Sequence, residues 1–403
     1  MVREWEKLKV ADVCRTMSGG TPSRQKPEYY EKGSIPWVKT GELNKKYITD
    51  TDEKLTKIAI QKSSAKIIPE NTVLMAMYGA TIGKTSILKV EAATNQACCA
   101  FIPNPDKLNA EFLYYSLIEM KEDIIKLGSG AAQPNISQQI IKEIQILIPP
   151  IDEQQKITEI LSSIDEAIEK TEAIIKQTET VKKGLMQQLL TKGIGHTEFK
   201  ETEIGKIPTS WVTMQIQDCS EILDSKRVPL SKKVREGKKG PYPYYGATGI
   251  VDTINEYIFD HDIVLIGEDG DHFKKYKDWS MTNLVRGKSW VNNHAHVLNA
   301  KEHLTINEWI FRYFEHRDLS PYLSIQGATR LKLTQQNLKQ MLIALPPIEE
   351  QKRICAIINS VVAKLESEKK ALVKYQSLKK GLMHVLLTGE IRVNTKQLDE
   401  VLV

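Results

Sequence analysis

The chain has 403 residues, of which 41% are apolar and 27% are charged, and its 56 basic and 51 acidic side chains give a net charge of +5. This composition is that of a globular protein and excludes an extended disordered chain or a collagen-like repeat. No apolar run approaches the roughly 20 residues that a membrane-spanning helix requires, and the net charge is too small to identify a nucleic-acid partner by itself.

The N-terminal residues and the cysteines predict where the chain works. Residues 1–5 are not followed by the apolar segment that a signal peptide needs. The five cysteines are an odd number scattered along a long chain, which is typical of reduced thiols and not of a disulfide framework. We therefore expect a cytoplasmic protein.

Residues 1–148 are predicted to form a first globular domain that mixes short strands with a few helices. Residues 72–77 (TVLMAM) read as a buried strand, and residues 111–115 (EFLYY) read as the start of a helix. Loop-forming residues are dense, for example at 18–22 (SGGTP). The pattern favours an α+β domain with many exposed loops.

Residues 79–85 (GATIGKT) resemble a phosphate-binding P-loop but do not meet its requirements. A P-loop has four residues between its glycines, and this segment has three between Gly79 and Gly83. A shorter loop moves the backbone N–H groups away from the phosphates. We expect a tight turn that brings the backbone close to a ligand, with Lys84 available for a DNA phosphate.

Residues 149–195 are predicted to form a first helical arm. The segment 149–154 (PPIDEQ) has a proline pair suited to a helix start and acidic residues in the first turn. Gly193 stands where the helix should end. A helix of about 40 residues would be roughly 60 Å long. Apolar residues recur at a three-to-four spacing typical of a heptad, namely Ile157, Leu161, Ile164, Ile168, Ile175, Leu185 and Leu189.

Residues 196–345 are predicted to form a second globular domain. Residues 262–266 (DIVLI) read as a strand and residues 308–312 (EWIFR) as a helix start. Basic residues are concentrated in 226–239 and are followed at once by 241–245 (PYPYY). Lysines beside tyrosines suit phosphate and base contacts, and a solvated mobile loop is the alternative.

Residues 346–403 are predicted to form a second arm that repeats the first. Residues 149–154 recur as 346–351 (PPIEEQ), and residues 182–186 (KKGLM) recur unchanged as 379–383, both 197 positions later. The heptad recurs with Ile354, Ile358, Val361, Leu365, Leu372, Leu382 and Leu386. We expect the arms to pair with each other antiparallel, because each arm must return the chain to the far end, where the next globular domain begins. The alternative is that each helix packs on its own domain.

Catalytic and metal-binding interpretations are weaker. The proline pairs are flanked by Ile148 and Ile151 in the first half and by equally apolar residues in the second, so an amino-methyltransferase site cannot be built there. The histidines in 294–296 (HAH) lack further ligands at a telling spacing, and 268–271 (EDGD) is too short for an EF-hand. This favours a binding protein without catalytic residues or a metal.

The repeated layout resembles the specificity (S, HsdS) subunit of type I restriction–modification systems. The similarity rests on ordered motifs along nearly the whole chain. In the first half they are 35–41 (IPWVKTG), 78–84 (YGATIGK), 133–137 (QPNIS), 149–154 and 184–190. In the second half they are 205–211 (GKIPTSW), 245–249 (YGATG) and 346–351.

This resemblance implies an α+β protein with an internal pseudo-twofold repeat. Two target recognition domains with mixed β-sheet would each read half of an asymmetric, bipartite DNA sequence. The arms would form an antiparallel coiled coil that spaces the domains and docks two methyltransferase subunits. Those subunits would hold S-adenosylmethionine, restriction subunits would join through the complex, and this chain would bind no cofactor itself.

Candidate DNA contacts come from the loop motifs and the basic segment, because Arg and Lys suit phosphates or guanine and Asn or Gln suit adenine. In the first domain they are Lys39, Thr40, Tyr78, Thr81, Lys84, Gln133 and Asn135. In the second they are Lys226, Arg227, Lys232, Lys233, Tyr244, Tyr245, Thr248, Thr329 and Arg330.

Two other classes of protein remain open from the sequence. A nucleotide-binding enzyme or a self-sufficient methyltransferase predicts that the isolated chain binds ATP or S-adenosylmethionine. A coiled-coil adaptor predicts partner binding without any DNA sequence preference.

Overall fold

The computed structural model describes residues 4–128, 135–326 and 330–394. The fold divides into two compact units. One comprises residues 1–172 and 370–403, and the other comprises residues 173–369. Each unit therefore contains one globular domain together with half of each long helix. The four segment limits given above are not tested by this division and stay a prediction.

The described residues of the first unit form ten strands in three sheets. The strands are β1 Glu6–Lys9, β2 Cys14–Ser18, β3 Ile35–Val38, β4 Tyr47–Ile48, β5 Lys54–Leu55, β6 Val73–Ala76, β7 Thr85–Leu88, β8 Ala93–Thr94, β9 Cys98–Pro103 and β10 Gln145–Ile148. The main sheet has the order β2-β9-β6-β7-β4, a smaller one has the order β5-β3-β8, and β1 pairs with β10. Its short helices are α1 Val10–Val13, α2 Lys57–Lys62, α3 Ala110–Glu119, α4 Lys121–Lys126 and α5 Gln138–Glu143.

The second unit repeats this plan with different loops. Its strands are β11 Phe199–Thr202, β12 Gly205–Pro208, β13 Val212–Gln215, β14 Ser220–Ile222, β15 Tyr242–Gly246, β16 Gly249–Ile254, β17 Phe259–Asp260, β18 Ile263–Gly267, β19 Thr282–Val285, β20 Lys288–Val291, β21 Ala295–Ala300, β22 Ser324–Gln326, β23 Arg330–Lys332 and β24 Leu342–Leu345. Its short helices are α7 Ile216–Cys219, α8 Lys232–Glu236, α9 Asn307–Phe314 and α10 Gln335–Gln340.

The sheets of the two units correspond strand by strand. The antiparallel order β14-β21-β18-β19 matches β2-β9-β6-β7, and β13 pairs with β24 as β1 pairs with β10. The parallel pair of β15 and β20 matches the parallel pair of β3 and β8. The α+β class, the mixed sheets and the internal repeat are thereby confirmed.

The long helices are α6 Ile151–Lys192 (here named the first arm helix) and α11 Ile348–Leu387 (the second arm helix). Both begin directly after a proline pair, and the glycines that follow them, Gly193 and Gly389, have φ values of +65° and +77°. Such positive values suit glycine at a helix C-terminus.

The two arm helices run antiparallel within each unit. In the first unit, the Lys379 ammonium lies 2.5 Å from the Asp165 carboxylate. In the second, Lys369 lies 2.7 Å from Glu179, and the Ile194 N–H donates to Glu350. The beginning of one helix thus faces the end of the other, which confirms the predicted pairing.

The heptad residues are most deeply buried where the helices meet the domains. Ile157 and Leu386 join the core of the first unit, and Leu189 and Ile354 join that of the second. The alternative of helices packed only on their own domain is therefore too simple, since each core takes residues from both helices.

The duplicated motif at the start of each arm helix attaches that helix to its domain. The Gln154 amide donates to the carbonyls of Lys107 and Pro149, both at 2.9 Å, and accepts from the Asn109 N–H at 2.8 Å. Gln154 has no exposed surface. Such a side chain satisfies backbone groups that would otherwise be buried without partners.

Gln351 makes the three equivalent bonds in the second unit and one more, to the Thr305 hydroxyl. Its amide donates to the carbonyls of Leu304 and Pro346 and accepts from the Thr305 hydroxyl and the Ile306 N–H. The preceding glutamates are equivalent too, because Glu153 accepts from the Trp5 indole and Glu350 from the Trp211 indole, each at 3.1 Å. The repeated motif is therefore a structural attachment.

Candidate nucleic-acid interface

The segment 77–84 of the first domain is a hairpin turn. It joins the antiparallel strands β6 and β7 through a single 3-10 turn at Gly79–Thr81. Gly79 and Gly83 have φ values of +78° and +73°, conformations that favour glycine. A P-loop instead leads from a strand into a helix, so this geometry does not support the P-loop interpretation.

Four of the predicted contact residues come together at this turn. Tyr78 forms a backbone bridge with Asn135, and the Ile136 N–H donates to the Met77 carbonyl at 2.9 Å. Lys84 and Asn135 are exposed, and Thr81 is half-buried. The predicted residue Gln133 lies outside the described residues.

Lys39 and Thr40 lie at the end of a different strand. They follow β3, and Thr40 opens a 3-10 turn at Thr40–Glu42. The Lys39 ammonium pairs with Glu53 at 2.9 Å, and Arg24 approaches the same carboxylate at 2.7 Å. The hydrogen bond from Lys39 holds the pKa of Glu53 below its ordinary value. Lys39 is thus partly neutralised within the domain.

The similar motifs at 78–81 and 245–248 occupy different places in the two domains. Residues 245 and 246 end β15, which corresponds to β3, and residues 247 and 248 follow it. The exposed Thr248 therefore lies at the counterpart of the turn at Lys39. The counterpart of the turn at Tyr78 is the connection 268–281 between β18 and β19. Asp269 there bridges Lys332 just as Tyr78 bridges Asn135.

Tyr244 and Tyr245 are less accessible than the sequence prediction assumed. Tyr244 is 1% exposed, and its hydroxyl accepts from the Leu230 N–H at 2.9 Å. Tyr245 is half-buried against a small apolar cluster, and burial raises its pKa. The Tyr244 ring therefore supports the basic segment and is not presented to DNA.

The basic segment 226–239 contains helix α8, and carboxylates of the same unit bind part of its charge. Arg227 donates to Glu268 at 2.7 Å and to the Ala295 carbonyl at 2.8 Å. Arg235 and Lys239 both bind Asp252. The solvated side chains that remain are Lys226, Lys232 and Lys233. Three of the four basic residues predicted here are therefore exposed, and Arg227 is the exception.

Arg330 lies beside the start of the 268–281 connection. Its guanidinium is 2.7 Å from the Asp269 carboxylate, which His294 approaches at 3.0 Å. Burial favours the neutral acid, but the hydrogen bonds from His294 and Arg330 hold the pKa of Asp269 below its ordinary value. The predicted residue Thr329 lies outside the described residues.

Among the described residues, no group of histidine, cysteine and acidic side chains is arranged to hold a metal ion. His294 and His296 bind different carboxylates, those of Asp269 and Asp224. All five cysteines are buried and unpaired, and burial raises the pKa of the Cys355 thiol to about 12.

Asp224 connects the basic segment to strand β21. It is 7% exposed, accepts from the Val297 N–H at 2.9 Å and lies 2.6 Å from His296 Nδ1. Burial alone would raise the pKa of Asp224, but the hydrogen bond and charge of His296, with Arg227 nearby, lower it below its ordinary value. The carboxylate is therefore stable inside the domain.

Replacing Asp224 with asparagine will destabilise the second unit by about 2 kcal/mol at neutral pH, because hydrogen bonds to a buried charge are lost. Because the pKa of Asp224 is lower in the folded state, its carboxylate stabilises the fold fully at a pH above the unfolded-state pKa of about 4. This stabilisation is lost as the pH falls through the folded-state pKa. Melting curves from pH 7 to pH 3 should show the gap between variant and wild type narrowing with acid. The exposed Asp218→Asn is the control, and a gap independent of pH would contradict the assignment.

The sequence prediction missed the 268–281 connection. It carries Lys274, Lys275, Lys277 and Trp279, all exposed. Its signal in the sequence is a set of lysines interleaved with aromatic residues, which is shorter and less basic than the segment 226–239.

Comparison with known proteins decides the family. Residues 2–180 and 208–375 match the family described as "Type I restriction modification DNA specificity domain". The chain belongs to this family. The predicted resemblance is thus confirmed, as is the prediction of a non-catalytic specificity subunit, and the role is recognition of a DNA target.

Relatives in this specificity family match along most of the chain. The type I restriction enzyme MjaIX specificity subunit of Methanocaldococcus jannaschii is 25% identical, covering 97% of this chain and 94% of the relative. The putative MjaX specificity subunit of the same organism is 29% identical over 73% and 71%. The crystal structure of the type I S subunit from M. genitalium superposes with a TM-score of 0.62 at 16% identity, covering 96% of each chain.

Among the helices that the structure describes, none combines the length and the apolar character that a membrane span requires.

Proposed function

We propose that the chain recognises an asymmetric DNA sequence in two parts, one read by each domain. The observation that carries this proposal is the contrast between repeated attachments and unrepeated loops. Gln154 and Gln351 hold their helices in the same way, whereas the turn at 77–84 is replaced by the longer connection 268–281. Equivalent scaffolds with unlike exposed loops suit two different half-sites.

We propose as contacts the exposed residues of the predicted set. In the first domain these are grouped at the turn that includes Lys84 and Asn135. In the second they are the lysines of the basic segment, Thr248 and Arg330. The buried Tyr244 and the internally bound Arg227 act through the folding of this surface.

The arm helices are proposed to dock methyltransferase subunits. Gly184 and Gly381 are equivalent positions inside the two helices, and both are exposed. A Cβ added at either would meet nothing within 4 Å in the described residues, so internal packing does not require glycine there. Glycine also weakens a helix by about 1 kcal/mol relative to alanine.

A closely approaching partner accounts for these two glycines. The apolar residues Val181 and Leu378, three positions earlier in each helix, are 46% and 48% exposed. Two equivalent patches fit two copies of one partner, and the curated relatives are named as subunits of restriction enzymes. We expect S-adenosylmethionine to be held by that partner and restriction subunits to join the same complex in the cytoplasm.

Replacing both Gly184 and Gly381 with alanine should move stability and function in opposite directions. The chain will gain about 1 kcal/mol for each helix position, while a close partner contact will be blocked. Thermal melting and the fraction of methylated target sites measure the two effects. Lys183→Ala with Lys380→Ala, at neighbouring exposed positions, is the control. A stabilised double-alanine chain with wild-type methylation would exclude docking at these patches.

Genome-wide sequencing of methylated bases, with and without this gene, tests the proposed function. A split, asymmetric adenine-methylated motif should disappear on deletion and return on complementation. If no motif depends on the gene, yet the tagged chain still captures a methyltransferase, the chain is a coiled-coil adaptor without sequence preference. If the purified chain binds ATP or S-adenosylmethionine by itself in equilibrium dialysis, the enzyme interpretation replaces both.

A further inference from the structure

The connection between β18 and β19 presents an exposed tryptophan among lysines. All six tryptophans lie in the described residues, and Trp279 is the one that is exposed, at 52%. The Lys275 ammonium lies 6.0 Å from its ring centroid. An exposed aromatic ring among lysines is a surface on which a nucleic-acid base can stack.

The position of this segment matches the turn proposed to bind DNA in the first domain. Both connect the equivalent hairpin strands, β6 to β7 and β18 to β19. Both are fixed by the same backbone bond, from Ile136 to Met77 and from Leu333 to Glu268, at 2.9 and 2.8 Å. The two segments therefore occupy the same place relative to the sheet of their own unit.

Buried residues hold the ends of the segment. Phe273 and Met281 are 2% and 1% exposed and join the core of the second unit, and the Met281 N–H donates to the Glu315 carbonyl. Between them, the N–H of Trp279 donates to the Lys275 carbonyl at 2.8 Å. The exposed side chains thus stand on a backbone that buried residues and hydrogen bonds anchor, which lowers the entropy lost on binding.

The exposed part, residues 274–279, carries three lysines and one acidic residue, Asp278, so its net charge favours phosphate. The acidic residues at its start are bound internally, Glu268 by Arg227 and Lys332 and Asp269 by His294 and Arg330. Lys274 pairs with Asp271. Lys275 and Lys277 have no carboxylate within 4 Å in the part of the chain that the structure describes. Positive charge beside an aromatic ring suits phosphate contacts together with base stacking.

We propose that Lys274–Trp279 is a DNA-binding element of the second domain, which deepens the proposed function and rests on it. Trp279 contacts a base or sugar with its ring, and Lys275 and Lys277 bind the phosphates that flank it. Arg330, beside the start of the connection, belongs to the same surface.

The test uses the complex isolated from cells through a tag on the full chain, with a duplex that carries the methylated motif. Trp279→Ala should weaken binding on the order of tenfold, and Trp279→Phe should restore most of it because a ring is kept. Lys275→Ala with Lys277→Ala should reduce the slope of log affinity against log salt by about 2. The control is Lys200→Ala with Lys206→Ala, two exposed lysines of the same unit.

Scrambling each half-site in turn locates the contact. The effect of Trp279→Ala should vanish when one half-site is scrambled and persist when the other is. Variants that bind the intact motif with wild-type affinity and salt slope, or that lose only partner capture, would overturn the inference while leaving the proposed function standing. A wild-type complex that does not distinguish the motif from a scrambled duplex would overturn both.

Discussion

Replacing Gln154 with leucine will lower the stability of the first unit by about 4 kcal/mol. Leucine keeps the volume but leaves the Lys107 and Pro149 carbonyls and the Asn109 N–H without their buried partner. Each such unsatisfied group costs roughly 1–3 kcal/mol. For a unit of this size, the melting temperature should fall by about 10 °C.

Hydrogen exchange shows which part of the chain is destabilised. Peptides covering residues 107–119 should exchange faster in Gln154→Leu, whereas peptides covering residues 304–314 should be unchanged. Gln351→Leu should reverse the pattern, since it makes the equivalent bonds. The control is Gln155→Leu at the exposed neighbouring position. If Gln154→Leu and Gln155→Leu behave alike, the attachment carries no stability.

Replacing Lys46 with methionine will lower the stability of the first unit by a comparable amount, because it removes the positive member of a buried charge group. The Lys46 side chain is 9% exposed and donates to the Tyr115 hydroxyl and the Ser162 hydroxyl, both at 2.8 Å. It also pairs with Glu111 at 3.4 Å. Removing one member of a buried charge group costs about 3–5 kcal/mol, because the remaining charges stay desolvated.

The second unit offers a matched site for this prediction. Arg312 donates to Glu315 and to Asn359 at 2.7 Å each, and Asn359 also donates to Glu308. Arg312→Met should destabilise the second unit as Lys46→Met destabilises the first. Urea unfolding measures both, with the exposed Lys45→Met as control. Equal unfolding midpoints for Lys45→Met and Lys46→Met would show that the buried group contributes nothing.

Repetition made the arms predictable from sequence. Identical segments 197 residues apart fix which residues are equivalent, and the heptad gives the buried face of each helix. Antiparallel pairing then follows from the chain order. The proline pairs and Gly193 even gave the ends of the first arm helix closely.

The function of the motif glutamines could not be predicted in the same way. Gln154 and Gln351 bind backbone groups of segments about 45 residues earlier. Every residue has a backbone carbonyl, so the amino-acid sequence does not indicate which one accepts the bond. The residues that supply those groups differ between units, with Lys107 and Asn109 in one and Leu304 and Ile306 in the other.

The candidate surface was predictable by region but less so by residue. Tyr244 follows a basic segment and resembles a base contact, yet the pleat of β15 directs it inward. Arg227 is as basic as its neighbours, yet it binds Glu268, 41 residues away in the chain. The motif YGAT occurs in the turn after β6 in the first domain and at the end of β15 in the second. Four residues fit either turn, so the motif alone does not indicate which strand it follows.

The composition of the two units has a consequence for biosynthesis. The second unit is one continuous stretch, 173–369, whereas the first needs residues 370–403 to complete it. Within the first unit, Arg392 binds Glu153 through two nitrogens, joining residues that are 239 positions apart. During translation from the N-terminus, the later-encoded unit can therefore finish folding first. The unit that begins emerging first must wait for residues 370–394, which include Arg392, to leave the ribosome, and such distant contacts are slow to form.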